Sequence, residues 1–411
     1  MKKKHLIYFI FISLIILLFF GCSETGSSGG GSSGGDEEKE LSPGTLDTTF
    51  NPGGVGSDGT ISSNAIQSDG KIIIGGSFSS YNGVLKNNLA RLNPNGTIDT
   101  SFNYGLLGAT ETDGGVCAIA LQSDGKIIIG GKFTYYNATY TPNFARINSS
   151  GTYDSLFNTL NGPNNTVQCI AIQTDGKVLI GGDFTSYNGT PINRIARINT
   201  NGFLDTSFNP GTGPDQRVAS IAIQPDGKIV IVGHFKTYNG TSRNYIARLN
   251  TNGSLDTSLN PIPGPDDSII SVALQPDGKI LVGGRFTSYD GVTRNYIARL
   301  LPSGSFDPSF SMISPHGCNF DVNIVAIQTD GKVLIGGYFT SYKGISRNHI
   351  ARVNADGSLD TSFDIGIGVD CPLWPTVYSI ALQPDGKIII GGYFTSYNGI
   401  ACNYIARIIG N

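Results

Sequence analysis

Histidine is scarce in this chain of 411 residues: there are four, and only His234, His316 and His349 lie beyond the first few positions. None stands in an HxxxH spacing and no CxxC pair occurs, so the ligand patterns that hold zinc are missing and no metal is expected. Neither a GxSxG elbow nor a GxGxxG turn follows a strand, the GxSxG spacing occurring only inside the Gly/Ser run 26–35, and no P-loop occurs; this removes the common hydrolase and nucleotide-binding signatures, and no cofactor is expected. Basic charge is short as well. The formal charge is −3, and without Lys2, Lys3 and Lys4 there remain 25 basic against 31 acidic residues, or −6. A nucleic-acid binder normally carries a basic patch or stripe, so no nucleic-acid partner is expected. The one long apolar run, residues 6–20, has 15 residues and is short for a membrane span. Tryptophan occurs once, at Trp374.

What the chain has is repetition. An Asp-Gly-Lys turn recurs with its lysine at Lys71, Lys126, Lys177, Lys228, Lys279, Lys332 and Lys387, a period of 51 to 55 residues. Twenty residues after each lysine stands an arginine, from Arg91 to Arg407, and eight residues after six of those arginines an aspartate, as in Arg248 and Asp256 or Arg299 and Asp307. The chain ends before a seventh such aspartate, but Asp47 stands in the same phrase, Leu-Asp-Thr-Thr-Phe, near the N-terminus.

The segments before the repeats read in order. Residues 1–21 form a secretory signal: three lysines, then the apolar run. Cys22 after Gly21 resembles the bacterial lipoprotein signal, in which the thiol is acylated and becomes the first residue. Phe19 and Phe20 depart from that motif's usual aliphatic and small residues, and an ordinary signal or uncleaved anchor is the alternative. Acyl chains on Cys22 supply the multiple signals that stable membrane attachment needs. Ser23, where an aspartate is absent, resembles an outer-membrane address. Residues 22–44, rich in Gly and Ser with an acidic end, form a tether of about 25 Å if treated as a coil.

Turn chemistry divides each repeat into four short strands. In the fourth copy Ser220 to Gln224 alternates, Pro225-Asp226-Gly227 turns, and a second strand runs from Lys228 to Phe235. A type I turn closed by a left-handed glycine pairs Gln224 with Lys228. The same geometry at Thr251-Asn252-Gly253 sets Arg248 opposite Asp256, a cross-strand pairing that opposite charges favour. Seven such units predict an all-β fold: a seven-bladed β-propeller of four-stranded antiparallel blades over residues 45–411, closed by an N-terminal strand that completes the last blade. In that closure Asp47 pairs with Arg407. A solenoid with a degenerate cap is the alternative. The phrases LDTSFNP, IQPDGKILVGG, FTSYNG and RNYIARLN resemble the delta-60 repeat family, and that resemblance implies a seven-bladed propeller with no general activity and no catalytic residues to carry over. Blade one departs at Asn64, and blade two at Tyr136-Asn137-Ala138, where other copies have Tyr-Asn-Gly.

A residue needed in every blade is needed by the blade, so the Lys, Arg and Asp repeats are read as structural and function is sought where symmetry breaks. Cys117 and Cys169, in first strands, read as small buried residues. Cys371 and Cys402 form the expected disulfide of an exported blade seven, with Cys318 to Cys371 as the alternative. The intervals between outer-strand and turn aspartates are 22, 25, 21, 21, 21, 23 and 25 residues, so the longer loops group over blades six, seven, one and two. Trp374 lies there, either packing over the ring or touching a ligand. The residue before each strand-two phenylalanine varies: Ser77, Lys132, Asp183, His234, Arg285, Tyr338 and Tyr393. These are candidate ligand contacts or, alternatively, unconstrained strand ends. The expectation is a monomeric, non-enzymatic scaffold, lipid-anchored at the outer membrane, that binds a protein or glycan. A periplasm-facing assembly factor is the second reading and a hydrolase or lyase the third.

Overall fold

The computed structural model describes residues 41–102, 109–110, 114–261, 263–310 and 316–410. The signal segment 1–21, Cys22 and most of the tether lie outside the described residues. No helix of the described residues is long and apolar enough to cross a membrane.

Blade four, built on the fourth Asp-Gly-Lys turn, shows the pattern. Val218–Ile223 pairs antiparallel with Ile229–Gly233, which pairs in turn with Ile246–Leu249. A fourth, outer segment joins through the Leu249 and Leu255 bridge. The expected turn register is present: Gln224 donates its N–H to the Lys228 carbonyl at 2.8 Å, and Gly227 donates to that of Gln224 at 2.9 Å. The second strand is buried along its whole length, which explains its continuous run of Ile and Val.

First strands of neighbouring blades pack side by side around the axis. Each of the seven apolar clusters draws on two adjacent blades, as Val230 and Val232 of blade four meet Ile269, Val272 and Ile280 of blade five. Ile61, Ile72 and Ile74 of blade one meet Ile389 and Ile405 of blade seven. The units therefore form a closed seven-bladed β-propeller and not a solenoid. Close approach between blades explains the Gly-Gly ending most second strands. A Cβ on Gly336 would stand 2.7 Å from a Val377 methyl of the next blade, and one on Gly337 would stand 2.2 Å from the Asp321 carbonyl oxygen.

Closure occurs at the predicted place. Leu46 bridges to Ile408, and Asp47 donates its N–H to the Arg407 carbonyl at 2.8 Å. The contact begins slightly earlier than residue 45: Gly44 donates to the Ile409 carbonyl at 2.8 Å and accepts from the Tyr397 hydroxyl at 2.5 Å. In every other blade the equivalent tyrosine reaches the glycine of its own outer turn, as Tyr238 does to Gly253 at 2.6 Å.

The repeated charges form a clasp larger than the pair expected. Arg248 Nε donates to Asp256 Oδ2 at 2.7 Å, Lys228 Nζ reaches the same oxygen at 2.9 Å, and Arg248 Nη1 donates to the Pro302 carbonyl of blade five at 2.8 Å. Arg299 and Asp307 repeat it at 2.8 Å. In the closing blade Arg407 and Lys387 meet Asp47 at 2.8 and 2.9 Å, and Arg407 reaches the Pro94 carbonyl of blade one at 2.5 Å. Burial alone would raise the Asp47 pKa; hydrogen bonds from Thr49 and Lys387, with the Arg407 charge, outweigh it and hold the carboxyl at about 2. The lysine is thus both a turn residue and a ligand of the buried carboxylate.

Candidate ligand-binding face

Each first strand begins, and each second strand ends, on the face opposite the Asp-Gly-Lys turns. The Tyr-Asn-Gly hairpins and the loops between blades lie on that face too. Three rings of unlike residues decorate it, one residue per blade in each.

The first ring is the variable strand-two end recognised in the sequence. The second comes from a β-bulge in every first strand, such as the register shift between Val218 and Ser220. The residues set apart by these shifts are Ser62, Cys117, Gln168, Ala219, Ile270, Asn323 and Tyr378. A bulge re-aims a side chain, and here the residue before each is buried while the bulged residue is partly exposed, most of all Tyr378. Sequence reasoning missed it although a signal was present. The apolar residues Val218, Ile221 and Ile223 are spaced by three and then two, where an unbroken strand would space them by two throughout.

The third ring opens the third strands: Asn88, Asn143, Arg194, Tyr245, Tyr296, His349 and Tyr404 all have left-handed backbones, with φ between 62° and 67°. Two backbone hydrogen bonds hold each in place. Tyr245 donates to the Phe235 carbonyl at 2.8 Å and accepts from Gly233 at 3.0 Å. Glycine or asparagine adopts this conformation readily, whereas a bulky residue costs about 1–2 kcal/mol. Only blades one and two use asparagine.

Around the face these positions sort into two arcs. One is charged. Asp183 pairs with Arg217 at 2.7 Å, and Arg285 with Asp321 at 3.1 Å. His234 lies between them with Nδ1 buried and without a hydrogen-bond partner. Burial, then the Arg217 and Arg285 charges, lower its pKa and keep it neutral. Lys132 is exposed at the end of this arc.

The other arc is aromatic and runs across blades five, six and seven. Tyr296 stacks on Phe320 at 6.1 Å between centroids, Phe320 meets Tyr338 edge-on at 5.0 Å, and Tyr338 touches both His349 at 6.0 Å and Trp374 at 5.6 Å. Tyr393 meets Tyr404 at 5.8 Å. Trp374 is 70% exposed, Phe320 46% and the bulge residue Tyr378 42%. Trp374 also has a left-handed backbone, with φ 55°. Tyr338 and Trp374, named separately from the sequence, are therefore brought together. Asp183 and Arg285 sit in ion pairs, and Tyr393 meets Tyr404. Phe320 went unrecognised because it lies in a loop between blades, and Tyr296 and Tyr378 because the variation at the third-strand and bulge positions was not singled out.

The expected Cys371–Cys402 disulfide is absent, as is the Cys318–Cys371 alternative; all five described cysteines are free. The reason is strand order. Ser396–Tyr397 lies between Val369–Asp370 and Ile400–Ala401, and Thr395 donates its N–H to Asp370 while accepting from Cys402. Cys371 and Cys402 thus flank a middle strand, about 10 Å apart at two strand spacings, beyond the ~7 Å limit for a bridge. Cys318 is buried, whereas Cys117 and Cys169 are only partly so.

A family model described as "Domain of unknown function (DUF5122) beta-propeller" matches residues 67–102, 122–157, 173–208, 224–259, 275–310, 328–363 and 383–408, more than half of the chain. No curated relative matches. Among solved structures, the WD40 β-propeller domain of Doa1 is 14% identical with a TM-score of 0.56, over 89% of this chain and 96% of that one. The extracellular domain of a one-component system from B. thetaiotaomicron is 15% identical with a TM-score of 0.52, over 88% of this chain and 39% of that one. Virginiamycin B lyase from Staphylococcus aureus is 14% identical with a TM-score of 0.50, over 85% of this chain and 94% of that one. At these identities the likeness is one of fold. The named activities differ from one another, as is usual for a propeller.

Proposed function

The chain belongs to the DUF5122 beta-propeller family, and from that premise we propose that it is a non-enzymatic binding scaffold that holds a macromolecule or glycan against the loop-bearing face over blades five to seven. The observation that carries this reading is the exposed aromatic arc. A ring that only had to be stable could cover these side chains or replace them with polar ones. Here Trp374, Phe320 and Tyr378 stand in solvent on neighbouring blades instead. Trp374, outside the left-handed position that every blade repeats, is also held left-handed, a cost that recurs at sites selected for what a side chain does.

Cys22 and the tether complete the reading. Acylation of Cys22 fixes the monomeric ring to the outer membrane, and residues 23–42 give it reach. A solved extracellular domain with this fold is consistent with such a setting.

The test is a binding panel of immobilised glycans, peptides and envelope proteins, probed with three forms of the full chain. These are the natural sequence, a Phe320→Ala and Trp374→Ala double variant, and an Asp226→Ala and Asp277→Ala double variant on the opposite face. Binding lost only in the aromatic variant supports the reading. Binding that survives it, or no binding at all, removes the aromatic arc as the recognition surface.

A further inference from the structure

We infer that the aromatic arc is a carbohydrate platform: Phe320 and Trp374, exposed on either side of Tyr338, each offer ring surface to the C–H face of a pyranose unit in a neutral glycan. This inference rests on the arc being the ligand-binding surface and adds the class of ligand.

Line and exposure come first. Tyr296, Phe320, Tyr338 and Trp374 touch in sequence at centroid distances of 6.1, 5.0 and 5.6 Å, crossing from blade five to blade seven. The hairpin tyrosines that serve packing, such as Tyr342 and Tyr397, are wholly buried. Phe320 and Trp374 instead stay exposed on either side of the partly buried Tyr338, which suits a ligand with more than one apolar ring face. An aromatic face carries partial negative charge, and the axial C–H bonds of a pyranose present partial positive charge to it.

Chemistry at the rim comes second. Asp321 follows Phe320 directly, accepts the Tyr338 N–H on its carbonyl at 2.9 Å, and pairs its carboxylate with Arg285. Arg285 remains half-exposed while paired. A carboxylate and a guanidinium side by side match the vicinal hydroxyls of a sugar, which both donate and accept.

The same observations weigh against the other ligands that stack on aromatic rings. Nucleobases bring phosphates, which need a basic groove. Arg217 and Arg285 are already matched by carboxylates, and the chain's formal charge is −3. A proline-rich peptide brings carbonyl acceptors without matching donors, and so would leave Asp321 without a new partner once it drew on Arg285.

Trp374 is the only tryptophan, so the emission of the unlabelled full chain reports on this platform alone. The experiment titrates the chain with soluble oligosaccharides of glucose, xylose, mannose and N-acetylglucosamine, with an oligoproline peptide and with oligodeoxythymidine. At least one sugar is expected to shift the emission saturably and to shield Trp374 from acrylamide. Phe320→Ala and Tyr338→Ala should each weaken that sugar by a factor of a few to roughly tenfold, the scale of one lost ring contact. Asp226→Ala, on the opposite face, should not. Equal melting temperatures, with Tyr338→Phe keeping affinity, would exclude misfolding as the cause. A response to oligoproline or oligodeoxythymidine and to no sugar would overturn the glycan assignment while leaving the binding face standing. No response to any probe would overturn both.

Discussion

Replacing Asp47 by Asn tests whether the two ends of the chain lock the ring. In the folded protein Asp47 accepts from Arg407 at 2.8 Å and Lys387 at 2.9 Å, with almost no exposure to solvent. Its pKa of about 2, against roughly 3.9 in an unfolded chain, makes the charged form worth about 2–3 kcal/mol of stability at neutral pH. Removing one partner of a buried ion pair costs about 3–5 kcal/mol by a separate route. The two agree on a loss near 3 kcal/mol. Because the folded pKa is depressed, this stability is fully present above about pH 4 and disappears as pH falls towards 2. The variant should therefore show both a lower urea midpoint at pH 7 and a flatter loss of stability in acid. Asp256→Asn, whose partners Arg248 and Lys228 come from its own repeat, should match it. Asp226→Asn, in an exposed turn, should stay within about 0.5 kcal/mol of the natural chain. If Asp47→Asn behaved like Asp226→Asn, the N-terminal segment would not be the fourth strand of blade seven.

Ala138→Gly should raise stability by about 1 kcal/mol, read by urea unfolding. Ala138 has φ 63° directly after Asn137 at φ 46°, in a turn where other blades place glycine. Tyr404→Asn should be neutral or stabilising by up to about 1 kcal/mol despite losing its contact with Tyr393, since Asn88 and Asn143 occupy that position elsewhere; a large loss would show that the ring contact outweighs the backbone strain. Cys371 and Cys402 should both take up an alkylating reagent without prior reduction, read by mass spectrometry of the digested chain; a peptide pair released only by reductant would contradict the strand order of blade seven.

What could be read in advance followed from local turn chemistry. A left-handed glycine fixes a hairpin register, and register fixes which residues face one another, so the Arg248 and Asp256 pair and its displaced copy at Arg407 and Asp47 were legible. The lysine's part in that clasp was not. Lys228 and Asp256 are 28 residues apart on strands separated by a third, and only the blade's twist brings Nζ to the carboxylate. The disulfide expectation failed for the converse reason: Cys371 and Cys402 share a blade and a face, but an intervening strand separates them. At the candidate site, the variable strand-two ends showed as broken symmetry, and Tyr338 and Trp374 were named from it. Phe320 and Tyr296 stayed hidden because their meeting is a contact between blades, set by loop length and by a left-handed backbone that no residue type announces.

The central claim is that recognition lies on the face where the blades differ. Hydrogen exchange on the full chain, alone and saturated with the oligosaccharide that most strongly perturbs Trp374, tests it most directly. Slowed exchange should gather in residues 316–321 and 369–376 and at the second-strand ends of blades five to seven, with the Asp-Gly-Lys turns unchanged. Protection centred on those turns would contradict the claim.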